Sequence, residues 1–204
     1  TLMVPGGFRE DWVRTWNSSD TMWDMLTASA LDDQGNVYIT GRAHRDMVHS
    51  EADMVTMSYD AAGELRWLNT YAEPGPARYI DPVAMAMDDT GHAYVLALAG
   101  RPHWSYVTFK FSPVGALLWE RTYGTPGNHA YPSAIAVDDE GNVVVTGGAV
   151  SGSSDTDFTT LKYDSNGQLL WVARYAGAAG ASEYPSALTV DRAGCVYVTG
   201  GERL

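Results

Sequence analysis

Residues 157–175 read DFTTLKYDSNGQLLWVARY, and this stretch decides the fold because it recurs along the chain. Two segments of strand length, rich in β-branched and aromatic residues, flank the tetrapeptide Asp164-Ser165-Asn166-Gly167. An Asp that opens a turn can accept backbone N–H groups, and a Gly three positions later can adopt the positive φ of a type I turn followed by a bulge. The stretch therefore predicts a β-hairpin.

The landmarks of this hairpin return at a fixed interval. Tryptophans lie 52 residues apart at Trp67, Trp119 and Trp171, and Trp12 lies 55 residues before the first of them. A second Asp-x-x-Gly element returns at spacings between 50 and 56 residues, beginning at Asp32, Asp88, Asp138 and Asp191. Self-similarity at such a period is typical of repeat architectures.

Each complete repeat contains four predicted strands, A to D, which in the third copy span 133–137, 142–147, 157–163 and 168–175. Short Asp-x-x-Gly turns join A to B and C to D, and no segment has helical periodicity. Four antiparallel strands in a unit of this length predict an all-β fold, a β-propeller of four-stranded blades. We expect the repeated Trp of strand D to form an apolar wedge between blades.

The chain holds about four blades' worth of repeats. We divide it into the end of one blade (strands C and D, 1–16), three blades (25–71, 83–123 and 133–175), and strands A and B of a split blade (187–204). Two interpretations remain open, a part of a longer propeller and a unit that closes into a ring of four blades or, with a second copy, of eight. We favour closure by another polypeptide segment, either a second copy or missing blades, because open sheet edges promote aggregation.

The segments 157–175 and 134–147 closely resemble the bacterial SBBP-type β-propeller repeat. This resemblance covers nearly the whole chain, but the second copy departs from it, with Ala97 in place of Gly and Ser105 in place of Asp. The resemblance implies a propeller of secreted or surface-attached bacterial proteins, with no catalytic residues to transfer. A weaker similarity links the Asp-x-x-Gly-x-x-x-Trp segments, such as 60–67, to pyrroloquinoline-quinone propellers.

Composition excludes several classes of function. With 13 Lys and Arg against 25 Asp and Glu, the net charge of −12 lacks the positive patch that nucleic-acid binding requires, and an anionic membrane surface would repel it. No apolar run is long enough to span a membrane, no signal peptide is visible, and the single Cys195 excludes an internal disulfide. The missing initiator Met suggests a mature piece or an excised segment. From the resemblance we expect an extracellular, cell-surface or periplasmic location.

The variable loops carry the candidate binding residues. In a propeller, the D–A and B–C connections share one face, here called the loop face, and variable loops on a rigid scaffold are the usual place for binding. Flat aromatic rings beside fixed polar groups suit a sugar or a peptide. The candidates are Trp23, Arg78, Tyr79, Arg101, His103, Trp104, His129, Tyr131, Glu183 and Tyr184.

Two kinds of chemistry are weaker candidates at the same face. His44 and His49, beside Asp46 and Glu51, could ligate a metal, although loop histidines are more often solvated. An enzyme, either a quinone-dependent dehydrogenase or a carbohydrate-active enzyme, would use carboxylates such as Asp24, Asp81 and Glu183 over the central channel. The sequence favours a non-catalytic scaffold that binds a protein or glycan at the loop face, with no cofactor.

Overall fold

A computed structural model of the protein describes residues 12–18, 24–44, 51–72, 79–100, 103–124, 129–150, 155–178 and 181–203. The described residues contain no helix long and apolar enough to cross a membrane. They form the strands β1 (Asp24–Leu31), β2 (Val37–His44), β3 (Ala52–Tyr59), β4 (Leu65–Tyr71), β5 (Ile80–Met87), β6 (Ala93–Ala99), β7 (Ser105–Phe111), β8 (Leu117–Tyr123), β9 (Ala130–Val137), β10 (Val143–Val150), β11 (Thr156–Tyr163), β12 (Leu169–Tyr175), β13 (Ser182–Val190) and β14 (Val196–Arg203).

The strands form four antiparallel sheets in chain order. Sheets 1 to 3 are the four-stranded β1–β4, β5–β8 and β9–β12, and sheet 4 is the pair β13–β14. The first strands of successive sheets contact one another, β1 with β5, β5 with β9, and β9 with β13. The sheets are therefore arranged side by side around their inner strands, which is a propeller-like arrangement of the predicted repeats.

All seven tight turns within the sheets have the predicted geometry. In each, the carbonyl of the first residue accepts the N–H of the glycine three positions later at 2.9–3.1 Å. These glycines have φ between 75° and 85°, a region that other residues rarely adopt. Ser112 opens one of the turns in place of Asp, and its hydroxyl accepts the N–H of Ala116 at 3.0 Å.

The repeated Trp of the fourth strand packs on the following sheet, as predicted. The indole Nε1 of Trp67 donates to the carbonyl of Pro113, and that of Trp119 donates to the carbonyl of Ser165, both at 3.1 Å. Trp12, which precedes sheet 1, makes the same bond to Ala61. A Cβ on Gly115, the positive-φ glycine beneath Trp67, would lie 2.6 Å from the indole. Glycine at this position therefore satisfies both the turn and the contact between sheets.

The apolar core lies between sheets. One cluster joins sheets 1 and 2 through Tyr38, Met54 and Phe109, and a second joins sheets 2 and 3 through Tyr94 and Leu161. A third places Trp12 and Trp16 against sheet 1. We expected strands C and D in the segment 1–16, but its described part, residues 12–16, is not in a strand, and residues 1–11 lie outside the described residues.

The repeated glycine of the second strand has a packing role. A Cβ on Gly147 would collide with the carbonyl oxygen of Tyr131, and Gly41 and Gly200 face the same obstacle on Met25 and Tyr184. The inner strands carry a register shift at this point, which brings the carbonyl close. In sheet 2, Ala97 occupies this position, so the departure from the repeat falls where the glycines of the other copies allow close packing of the inner strand.

A carboxylate supports the turn between the first two strands of each sheet, and in sheets 2 and 3 that carboxylate is largely buried. Asp138 accepts the N–H groups of Glu140 and Asn142 and pairs with Lys162, whose Nζ lies 2.8 Å from Asp138 Oδ2. In sheet 2, Lys110 lies 3.9 Å from Asp88. Burial raises the pKa of Asp138, but hydrogen bonds from Lys162 and Asn142 outweigh it, so the pKa lies below its ordinary value.

Truncating Trp119 should weaken the molecule more than truncating Trp171. We expect Trp119→Ala to lower the free energy of unfolding by about 3–5 kcal/mol, because it removes a buried indole between two sheets. Trp171, at the same position of β12, is only half-buried, so its truncation should cost about 1–2 kcal/mol. Urea unfolding followed by circular dichroism measures both, and equal losses would contradict the role of the wedge.

The carboxylate of Asp138 should make stability depend on pH. Since its folded pKa is lowered, its contribution is present above its unfolded pKa of about 3.9 and is lost as the pH falls through the folded value. We expect Asp138→Asn to lower the free energy of unfolding by about 2–4 kcal/mol at pH 7, because Lys162 loses its partner, and by much less at pH 2.

The neighbouring exposed Asp139 provides the matched control for this measurement. Urea unfolding of Asp139→Asn should stay within about 0.5 kcal/mol of the wild type at both pH values. A loss in Asp138→Asn that is the same at pH 7 and at pH 2 would show that the ionised carboxylate is not what stabilises the turn.

Candidate functional site

One repeated contact builds the loop face. The residue that opens the third strand of a sheet lies beside the residues that open the first strand of the next sheet. Ala52 forms a parallel bridge with Tyr79, and the carbonyl of Trp104 accepts the N–H of Ala130 at 2.8 Å. In sheet 3, the N–H of Thr156 donates to Ser182 Oγ at 3.3 Å. Loop residues of adjacent sheets are therefore held together by the backbone.

Five predicted candidates come together at this contact and form what we call the aromatic row: Tyr79, Trp104, His103, His129 and Tyr131. The rings of Tyr79 and Trp104 meet edge to face, with centroids 5.2 Å apart. His129 lies 5.5 Å from the ring of His103 and stacks on Tyr131 at 5.8 Å with 10° between planes. The backbone N–H of Trp104 donates to His129 Nδ1 at 3.4 Å, which connects the two groups of rings.

An ion pair adjoins one end of the aromatic row. Arg42 NH1 lies 2.7 Å from Asp81 Oδ2 and donates to the hydroxyl of Tyr79 at 3.1 Å. That hydroxyl donates in turn to Asp81 Oδ2 at 3.2 Å. Both charged side chains are about one-fifth exposed, so the pair is held in place by its neighbours. Arg42 was not among the predicted candidates, although it lies near the loop-face end of β2 and is charged where Leu98 and Gly148 stand in the next two sheets.

The inner strands present one residue each at a shared register position. It is Met25 in sheet 1, Asp81 in sheet 2, Tyr131 in sheet 3 and Tyr184 in sheet 4. Tyr131 is 42% exposed and Tyr184 is 49% exposed, so their rings are available to a ligand. Since neighbouring inner strands contact one another, these four positions lie in succession at the loop-face ends of the inner strands.

Several candidates cannot be placed in the site. Trp23, Arg78, Arg101 and His49 lie outside the described residues. His44 is half-buried at the end of β2. In the described part of the chain, no group of three or more His, Cys, Asp or Glu lies close enough to hold a metal ion.

The three acids considered for catalysis have different surroundings. Asp24 Oδ2 accepts the N–H of Ser18 at 2.6 Å, and Asp81 pairs with Arg42. Glu183 is 2% exposed and neither of its carboxylate oxygens has a hydrogen-bond partner. Glu183 therefore belongs to the interior of sheet 4, not to an exposed binding surface.

A cleft on the opposite face was not predicted. It has a volume of about 220 Å³ between sheets 1 and 2, and two Asp-x-x-Gly turns line it together with Arg66 and Pro113. Arg66 donates to the hydroxyls of Tyr38 and Ser58 at 3.0 and 3.2 Å. The signal was present in the repeat, because Ser58 stands where the other copies have Lys110 and Lys162. The guanidinium of Arg66 lies 5.9 Å from the ring centroid of Tyr38, as Lys110 lies over the ring of Tyr94.

Comparisons with known proteins support the fold alone. No family model and no curated protein matches the chain. Among solved structures, a protein of unknown function from Bacteroides caccae is 16% identical with a TM-score of 0.50, over 86% of this chain and 53% of that one. A subtype N11 neuraminidase-like protein of A/flat-faced bat/Peru is 9% identical with a TM-score of 0.40, over 72% and 50%.

A third similar structure is a hypothetical protein from Leishmania major, 10% identical with a TM-score of 0.33, over 86% of this chain and 80% of that one. The chain spans about half the length of the first two proteins. The Bacteroides caccae protein thus shares the fold of this chain, and its own function is unknown.

Proposed function

We propose that the protein is a non-catalytic, propeller-like binding module that recognises a glycan at its loop face. The observation that carries this proposal is the aromatic row, in which five rings from two adjacent sheets form two contacting groups that a hydrogen bond joins. Aromatic rings present flat apolar faces to the C–H face of a sugar, and hydroxyl groups of the sugar need fixed polar partners nearby.

The polar partners are part of the same surface. Arg42 and Asp81 are fixed beside Tyr79 by three mutual contacts of 2.7–3.2 Å. Little side-chain entropy would then be lost on binding, because these groups are already ordered. The exposed ring of Tyr131 extends the surface toward the central axis.

The family and the location belong to the same proposal. We propose membership of the SBBP-type repeat family because every described sheet carries the Asp-x-x-Gly turns that suggested the resemblance. An extracellular, cell-surface or periplasmic location would follow from that membership. A glycan ligand is compatible with such a location.

Removing aromatic rings from the row should weaken glycan binding. We expect the purified protein to bind at least one member of a panel of immobilised neutral oligosaccharides. Trp104→Ala and Tyr131→Ala should each lower the affinity for that sugar about tenfold, as the loss of one stacking contact implies. Titration calorimetry with the selected sugar measures the change.

Tyr175→Ala is the control, because Tyr175 is 62% exposed on β12 and lies outside the row. Its affinity should equal that of the wild type. Binding of peptides in place of all sugars would make the ligand a protein and refute the glycan proposal. Sugar binding that neither Trp104→Ala nor Tyr131→Ala weakens would place the site elsewhere.

We also propose that the outer edge of β14 receives a further strand, supplied in the purified protein by a second copy. Thr40 pairs with Thr56 at 3.2 Å and Thr146 with Thr160 at 2.9 Å between their hydroxyls, each across the second and third strands. Thr199 holds the equivalent position on β14, which pairs only with β13 among the described strands.

Tyr197 supports the same conclusion. It donates to Asp191 at 3.0 Å as Tyr94 does to Asp88, but it is 56% exposed where Tyr94 is fully buried beneath Lys110. An incoming strand with a Thr opposite Thr199 and a cation opposite Tyr197 would therefore complete the pattern.

A charge placed on this edge should prevent the association. We expect the wild type to show a mass above 22.1 kDa by light scattering that increases with concentration, and Thr199→Lys to have the mass of one chain, because charged edge residues oppose strand addition. Gln168→Lys, in an exposed turn, should behave as the wild type. A wild type that stays a monomer at all concentrations would refute pairing between copies.

A further inference from the structure

We propose that Glu183 and Glu202 form a calcium site at the loop-face end of sheet 4. This inference does not rest on glycan binding at the aromatic row. Its first support is Glu183 itself, a carboxylate only 2% exposed whose two oxygens have no hydrogen-bond partner. A buried ionised carboxylate without a partner is strongly unfavourable, so a folded protein that keeps one must compensate its charge.

The second carboxylate lies directly across the sheet. Glu183 on β13 pairs in register with Glu202 on β14, and side chains at facing positions of an antiparallel pair lie on the same side of the sheet. Glu202 Oε1 accepts the N–H of Ala178 at 3.4 Å. Glu202 is itself exposed, but because like charges at facing positions are destabilising, its carboxylate adds to the repulsion on the buried Glu183.

Both carboxylates face the same short backbone segment. A Cβ on Gly177 would collide with Glu183 Oε1 and lie 3.3 Å from Glu202 Oε1. The absence of a side chain at Gly177 therefore leaves the space that the two carboxylates occupy. No basic side chain is paired with either of them in the part of the chain that the structure describes.

The other sheets show that the fold does not require this pair. At the same register position, Asp24 faces Ala43, Ile80 faces Ala99, and Ala130 faces Ala149. Small or apolar pairs satisfy the architecture in sheets 2 and 3. Two glutamates at one such position therefore call for an explanation beyond folding.

The donor chemistry selects the cation. Carboxylate oxygens without nitrogen or sulfur ligands favour a hard cation, and Ca²⁺ accepts bidentate carboxylates, main-chain carbonyls and water in variable geometry. Mg²⁺ requires a stricter octahedral set and retains its water, so it fits two glutamates on adjacent strands less well. Because the described site offers only two acidic residues, we expect an affinity of about 0.1–1 mM, in the range of extracellular calcium modules.

Calcium should stabilise the wild type and not the variants. With 5 mM CaCl₂ in place of EDTA at pH 7, we expect the midpoint of thermal unfolding to rise by roughly 3–6 °C in the wild type, as binding well above Kd implies. Glu183→Gln and Glu202→Gln should lose this rise. Both variants should fold without calcium, because each removes one of two like charges that face each other across the strands.

Two controls separate this site from general screening of an acidic protein. Asp24→Asn removes a charge at the equivalent position of sheet 1, where the facing residue is Ala43, and should keep the full rise with CaCl₂. MgCl₂ at the same concentration should give a clearly smaller rise in the wild type.

Three outcomes would overturn the proposal. They are no rise with CaCl₂ in the wild type, an equal rise in Glu183→Gln, and an equal rise with MgCl₂. None of these outcomes depends on sugar binding at the aromatic row.

Discussion

The contact between the repeated Trp and the glycine turn of the next sheet is the constraint on which the rest of the structure depends. A four-stranded sheet cannot bury both faces by itself, so each needs a neighbour at a fixed distance and angle. The indole supplies the apolar area, and its Nε1 bond to the carbonyl of the turn fixes the position of one sheet on the next. The turn can accept the indole only because its glycine has no Cβ.

This constraint also positions the loop face. Once the sheets are fixed side by side, the start of the third strand in one sheet lies against the start of the first strand in the next. That is why Trp104 of sheet 2 and His129 at the start of sheet 3 are neighbours although 25 residues separate them. The positions of the aromatic row are thus set by the packing of the sheets. The sequence of the variable loops determines only which side chains occupy those positions.

Local chemistry explains how much of the fold could be predicted. The Asp-x-x-Gly turns and the strands that they join depend on residues within one repeat, so they can be predicted from the sequence. The inner strands are harder, since β9 begins at Ala130 and β13 at Ser182, earlier than the pattern of small residues at 133 and 187 suggested. Their additional residues pair with strands that extend toward the loop face, a contact that no local pattern encodes.

The site was predictable only as a set of side chains on one face. Sequence indicated that Tyr79, Trp104, His129 and Tyr131 belong to the loop face, but not which of them touch. Arg42 and Asp81 lie 39 residues apart in the sequence, so their ion pair could not be predicted from it. The sequence also led us to expect Glu183 at the surface, although its side chain is buried. Each of these depends on how two sheets, or the two strands of sheet 4, face one another.

In a repeat protein, the equivalent positions of the other repeats can be compared with an unusual residue. They show which residues the architecture requires at that position. Ser58 stands in sheet 1 where the other copies have Lys110 and Lys162. Arg66 on the neighbouring strand places a cation over the ring of Tyr38, as Lys110 does over that of Tyr94, so this departure is compensated within the fold. Glu183, which faces Glu202, has no such compensation among the described residues. An uncompensated departure at a buried position is the stronger indication of function, because nothing in the packing of the repeat accounts for it.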